Sequence, residues 1–250
     1  MSEAVEFAAA ATALSWAPHL ALVASGRPYT LDDRRSAILY GVGLAGPSVA
    51  AFAVEGRRRG TQGQRELLRC ADPHTLTALR VAAAVAAQPV LTWGAARVAR
   101  KRISLQPIDP AIVLGQIWVV AGEEFGWRGF LAPRLRRRFS PSITIAITAA
   151  AWGAWHLPMF FVKGSPQQTD RPSRFAAAIF AWSAIHHLLQ VGRPSVATAM
   201  VFHAAANISA NVLHIEDEAG LQTLAYVATG IASIVAAELA ERQRDIAEAP

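Results

Sequence analysis

Cysteine is almost missing from this chain: Cys70 stands alone among 250 residues. One thiol closes no intrachain disulfide and builds no cysteine metal cluster, which excludes disulfide scaffolds and Cys-type zinc sites. Charge is scarce too. Asp, Glu, Lys and Arg make up 17% of the residues, against about 25% in an average soluble domain. Lysine is rarer still, with Lys101 and Lys163 against a total of 24 basic residues. Abundant alanine with arginine in place of lysine is the composition expected of a GC-rich, bacterial genome. No stretch shows the ten-residue alternation of a membrane barrel strand. Internal repeats, soluble linkers and low-complexity tracts are missing as well, so a single membrane domain over 1–250 is expected.

What the chain has instead is apolar residues, 53% of the total, with a mean hydropathy of +0.27. They come in eight blocks: 5–25, 36–54, 76–98, 111–132, 141–162, 175–189, 196–213 and 221–239. Several approach the ~20 residues that cross a bilayer. Only helices and closed barrels satisfy the backbone in lipid. The expected fold is therefore all-α, a polytopic membrane protein of about eight transmembrane helices enclosing an intramembrane cavity. The polar stretch 55–73 reads as a loop, part of it an interfacial helix. Pro133 and the basic run after it read as the end of the fourth span. Glu216, Asp217 and Glu218 read as an acidic loop, and the residues after 239 as a charged tail.

The formal net charge is +6. Its arginines fall mostly between blocks, as loop charges that orient spans rather than as a nucleic-acid surface, so no nucleic-acid partner is expected. With eight spans the side of the termini carries 12 Arg and Lys, and the other side 10. That narrow margin favours cytoplasmic termini in a multi-pass plasma-membrane protein. Residues 1–6 lack a positive n-region and hold Glu3 and Glu6, so the first block is expected as a retained span rather than a leader.

Against this background a few polar residues stand out. Glu123 and Glu124 follow an uncharged run, with Arg128 one turn on. An ionisable residue inside a span is expensive and marks a functional site by default. Glu124 and Arg128, four apart, share a helix face and suit a supporting ion pair. Glu123, turned about 100° from Glu124, is left to face a cavity. In the fifth block Trp152 lies one turn before His156, and Pro158 breaks the helix just beyond. In the seventh, His203 and Asn207 share a face, with alanines between them that let other helices come close. His186 and His187 read as structural or interfacial, and the Trp residues at 16, 93, 118 and 182 as interface anchors or packing.

A carboxylate, two imidazoles and an amide in apolar spans support hydrolysis in two ways. Glu123 can act as general base on water, with His156 orienting the water and His203 and Asn207 donating to the oxyanion. Alternatively His156, His203 and Glu123 ligate a divalent metal such as zinc, two His and a carboxylate being a known catalytic set. There is no His-Glu-x-x-His in the sequence.

These residues form three ordered motifs: Glu123-Glu124-Phe-Gly-Trp-Arg128, Trp152-Gly-Ala-Trp-His156 and His203-Ala-Ala-Ala-Asn207. Together they resemble the CPBP family, the CAAX-protease and bacteriocin-processing (Abi-like) intramembrane peptidases. That family shows Glu-Glu-x-x-x-Arg, an aromatic four residues before a His, and His-x-x-x-Asn. Trp152 stands where Phe is more usual. The resemblance covers a core region of 111–213. It implies an eight-helix peptidase with Glu123 as base, His156, His203 and Asn207 completing the site, and Glu124, Arg128 and Trp152 supporting it. Family members are described both as metalloproteases and as metal-independent glutamate proteases, so the cofactor stays open between a divalent ion and none. The implied partners are the bilayer and a membrane-associated peptide substrate, CAAX-like or lipidated; eukaryotic members trim the three residues after a prenylated Cys. Two other readings stand beside this one. A non-proteolytic immunity or scaffold protein of the same fold is one. A small-solute transporter is the other, although it would call for a repeat with paired broken helices.

Overall fold

A computed structural model describes residues 2–30, 32–215 and 219–247. Its helices in chain order are α1 (Ser2–Ser25), α2 (Arg34–Arg69), α3 (Ala78–Ala99), α4 (Pro110–Glu124), α5 (Ala132–Arg136), α6 (Pro141–Trp155), α7 (Pro172–Leu189), α8 (Val196–Val212) and α9 (Ala219–Ala247). The π-helical segment Phe125–Leu131 joins α4 to α5 without a break. The fold is thus all-α and polytopic. Five helices among the described residues are long and apolar enough to cross a membrane. The expected acidic loop at Glu216, Asp217 and Glu218 lies outside the described residues.

Three boundaries differ from the sequence reading. The polar stretch after 54 is no loop, because α2 runs through it to Arg69 and bends at Gly60 (φ 60, ψ −154). Glycine enters that left-handed region without a Cβ penalty. The charged residues there find one another: Glu55 pairs with Arg59 across one turn, and Arg59 also reaches Glu66. Pro133 does not end the fourth span. The helix runs on through it, from the π-helical turn into α5. The charged tail after 239 continues α9 as far as Ala247.

The starts follow ordinary capping chemistry. Asp33, Asp109, Ser140 and Ser195 cap α2, α4, α6 and α8 through side-chain oxygens that accept from first-turn N–H groups, each saving an orphan donor. Outside the membrane segments, Arg27 and the cap N–H groups hold the Asp33 carboxyl below the usual carboxylate range.

α4 packs on α2 and α8, and α7 on α6 and α9. The α2–α4 contact is backbone on backbone. A Cβ on Gly122 would lie 2.7 Å from the Leu44 carbonyl oxygen, and one on Gly126 would lie 2.6 Å from that of Pro47. Small residues permit this closeness in membranes, and Ser48 Oγ adds a bond to the Ala121 carbonyl at 2.7 Å. The core gathers aromatic rings: Phe7 packs edge-on to Trp127 and stacks on Phe130, and Trp127 meets Trp155.

The two ends of the bundle differ. At one, Arg134 bridges Glu3 (2.8 Å) and Glu55 (2.5 Å), and Arg136 donates to the His187 and Gln190 carbonyls. This is the basic end. At the other, a short antiparallel ladder pairs β1 (Ile103–Leu105) with β2 (Leu213–Ile215), Ile103 opposite Ile215. This is the hairpin end. No alternation in the sequence announced these strands.

Candidate active site

The site begins on α4. Glu123 and Glu124 are its last two residues, both buried, with 2% and 0% of their surface exposed. The helix then widens into its π-helical turn, closed by the Ala132 N–H bonding to the Trp127 carbonyl. Such turns recur at functional sites because they re-aim side chains. Arg128, inside it, places Nη1 3.1 Å from Glu124 Oε1. Its guanidinium also lies over the Trp152 ring, 4.1 Å from the centroid. One cation thus meets a carboxylate and an aromatic face, which lowers the cost of burying it.

Glu124 does more than the expected pairing. The same Oε1 is 2.7 Å from His203 Nδ1, so Glu124 ties α4 to α8. Glu123 turns elsewhere, as its rotation predicts. Its Oε2 accepts from Trp152 Nε1 at 2.7 Å. His156 lies where α6 ends and a 3₁₀ turn (Leu157–Phe161) begins. Its Nδ1 is 2.8 Å from the Trp152 carbonyl oxygen. A carbonyl only accepts, so Nδ1 carries the proton and Nε2 is the nitrogen left for another partner. Asn207, one turn beyond His203, donates Nδ2 to Gln116 Oε1 at 2.8 Å.

One cavity of about 420 Å³ collects these groups: Glu123, Trp152, His156, His203 and Asn207 all line it. It extends to Gln167, Asp170 and Arg174 at the hairpin end, and Leu44, Ile112, Val119 and Met159 add apolar wall. Its size falls in the range of ligand clefts, mostly apolar with a few convergent polar groups.

Several contributors escaped the sequence reading. Gln116 is two turns before Glu123 on α4 and so on nearly the same face; a Gln in an uncharged span was the available signal. Gln88, inside the third apolar block, is a buried hub that accepts from Trp182 Nε1 (2.9 Å) and donates to the Tyr226 hydroxyl (2.9 Å). Trp182 is therefore part of the cavity wall rather than an interface anchor. His186, read as structural or interfacial, lies beside the site. It is buried against Trp152, Phe202 and His203.

The donor chemistry suits a divalent ion in kind. Among the described residues, Glu124, His186 and His203 offer ligand atoms within 4.8 Å of one another. Glu124 Oε2 and both His186 ring nitrogens are buried without a partner. Glu123 and His156 line the front cavity with His203, each with one polar atom already engaged by Trp152.

Residues 107–209 match the family described as type II CAAX prenyl endopeptidase Rce1-like. The CAAX prenyl protease 2 of Methanococcus maripaludis is 26% identical over 130 residues, which cover 47% of this chain. The match spans 44% of that protein's own length. Both findings agree with the intramembrane-protease family that the three motifs resemble, and residues 107–209 are the Rce1-like segment of this chain.

Proposed function

We propose that this protein is an intramembrane endopeptidase that hydrolyses a peptide bond of a membrane-associated substrate, with Glu123 as general base. The observation that carries the reading is the convergence of Glu123, His156, His203 and Asn207 on one buried cavity. Trp152 holds one oxygen of Glu123, which leaves the other to take a proton from water. His156 Nε2, the nitrogen not given to the Trp152 carbonyl, accepts a hydrogen bond from that water and orients it. The water oxygen attacks the scissile carbonyl carbon as Glu123 takes the proton. His203 and the second N–H of Asn207 stabilise the oxyanion. Glu124 takes the Nδ1 side of His203, so Nε2 is the nitrogen that serves the oxyanion. Collapse breaks the C–N bond, and the proton on Glu123 passes to the leaving nitrogen, giving one carboxylate and one amine.

If a divalent ion takes part, His203 with His156 and Glu123, or with His186 and Glu124, would hold it, and it would polarise the carbonyl or acidify the water. Elemental analysis of the purified protein, with activity followed before and after chelation, decides between the two forms. The apolar wall of the cavity and the CAAX protease named in the comparison favour a lipidated or CAAX-like peptide. Cleavage of a membrane-peptide library in liposomes by wild type and by Glu123→Ala tests the whole reading. Undiminished cleavage by the variant would end it.

A further inference from the structure

A second polar space lies between α5, α6 and α7, and it shares no lining residue with the front cavity. Arg128, Arg136, Thr144, Thr148, Ser183 and His186 line it. Seven of their atoms are buried without a hydrogen-bond partner: Arg128 Nη2, Arg136 Nε, Thr144 Oγ1, Thr148 Oγ1, Ser183 Oγ and both ring nitrogens of His186. The metal-free form of the front-site chemistry uses none of them. Buried polar atoms nearly always find a partner, so seven orphans around one space point to something bound there.

Size and chemistry identify it. The space admits the centres of water molecules over about 10 Å³, close to what one ordered water requires. A peptide or lipid group does not fit. The guanidinium groups only donate, whereas a neutral imidazole keeps one bare nitrogen in either tautomer. The occupant must therefore both donate and accept, which water does and a halide does not.

Position gives it a use. Arg136 marks the outer limit at the basic end, its guanidinium on the His187 and Gln190 carbonyls. At the inner limit His186 stands within 4.8 Å, ligand atom to ligand atom, of Glu124 and His203. His203 in turn lines the front cavity. The seam therefore approaches the back of the His203–Glu124 pair, while the front cavity approaches from the hairpin end.

We infer that this seam holds internal water and supplies it to the site when substrate fills the front cavity. The supply role rests on the endopeptidase reading. Each peptide bond cut consumes one water, its oxygen going to the carbonyl carbon and a hydrogen to the nitrogen, and a bound peptide obstructs the approach from the hairpin end. His186 and Ser183 are then positioning residues that hold water and never touch the substrate.

Water-edited solid-state NMR of the wild-type protein, uniformly ¹⁵N-labelled in liposomes, tests the seam without any substrate. Water polarisation should reach the His186 ring nearly as fast as the exposed His214 ring. Transfer to His186 as slow as to the amide of fully buried Ala181 would overturn the proposal. The supply role is tested by a Thr148→Val/Ser183→Ala double variant, which preserves side-chain shape. Its kcat should fall about fivefold at unchanged KM. Wild-type kcat in that variant would overturn the supply role even with a wet His186. If Glu123→Ala cleaves like wild type, the supply role falls with the endopeptidase reading, and the NMR transfer still decides whether the seam is wet.

Discussion

On the front of the glutamate pair, each polar side chain of the site has a protein partner at 2.7 to 2.8 Å: Glu123 on Trp152, His156 on the Trp152 carbonyl, His203 on Glu124 and Asn207 on Gln116. On the back, Thr144, Thr148, Ser183 and His186 have none among the described residues. Helices α6 and α7 line both regions, and on the endopeptidase reading the difference is one of task. Groups that meet a reacting carbonyl must be held in advance, because reorganising them during the reaction would cost rate. Groups that pass a small mobile molecule must stay unspoken for. Trp152 and Arg128 stand where the two regions meet.

The comparison can be broken or sharpened by substitution. Glu123→Gln keeps shape and removes the base, and kcat should fall roughly 10²- to 10⁴-fold with no change in thermal unfolding in detergent. Trp152→Phe keeps an aromatic face for Arg128 but loses the bond to Glu123. A fall in kcat of roughly ten- to a hundredfold is expected, with KM little changed; a KM effect alone would make Trp152 a wall rather than a holder of the base. Gly126→Ala presses a methyl on the Pro47 backbone, and equilibrium unfolding should show a loss of about 1–3 kcal/mol. Gln116→Ala frees the Asn207 amide, and a roughly fivefold fall in kcat is expected. If Gln116→Ala costs as much as Glu123→Gln, the front has no graded order and the comparison fails.

The sequence made the helices legible because lipid imposes one rule on all of them, a long apolar run. It also exposed Glu123, Glu124, Arg128, His156, His203 and Asn207, since a charged or basic group in such a run is conspicuous. It separated the surroundings of the two glutamates by rotation alone: Glu124 meets Arg128, and Glu123 faces the cavity. It hid residues whose polarity is mild or whose partner is distant in the chain. Gln116 and Gln88 looked like tolerated polar positions, and their importance lies in contacts 91 and 138 residues away. His186 looked like any histidine near a helix end until α7 was packed beside α6 and α8. Boundaries failed where charges satisfied one another: the extension of α2 is helical because Glu55, Arg59 and Glu66 pair along it, and hydropathy does not register that.

Gly122 and Gly126 bracket the two glutamates and press α4 onto the α2 backbone. Side chains in an interface can change rotamer and so yield; two backbones in contact have no such freedom. Glu123 therefore rides on a stiff joint, fixed to α2 as if the two helices were one beam. On the endopeptidase reading, any widening that admits a peptide falls to other parts of the lining, the turn around Met159 and the residues from Pro166 to Arg174. On that reading the proposed base stays still, and the substrate is brought to it.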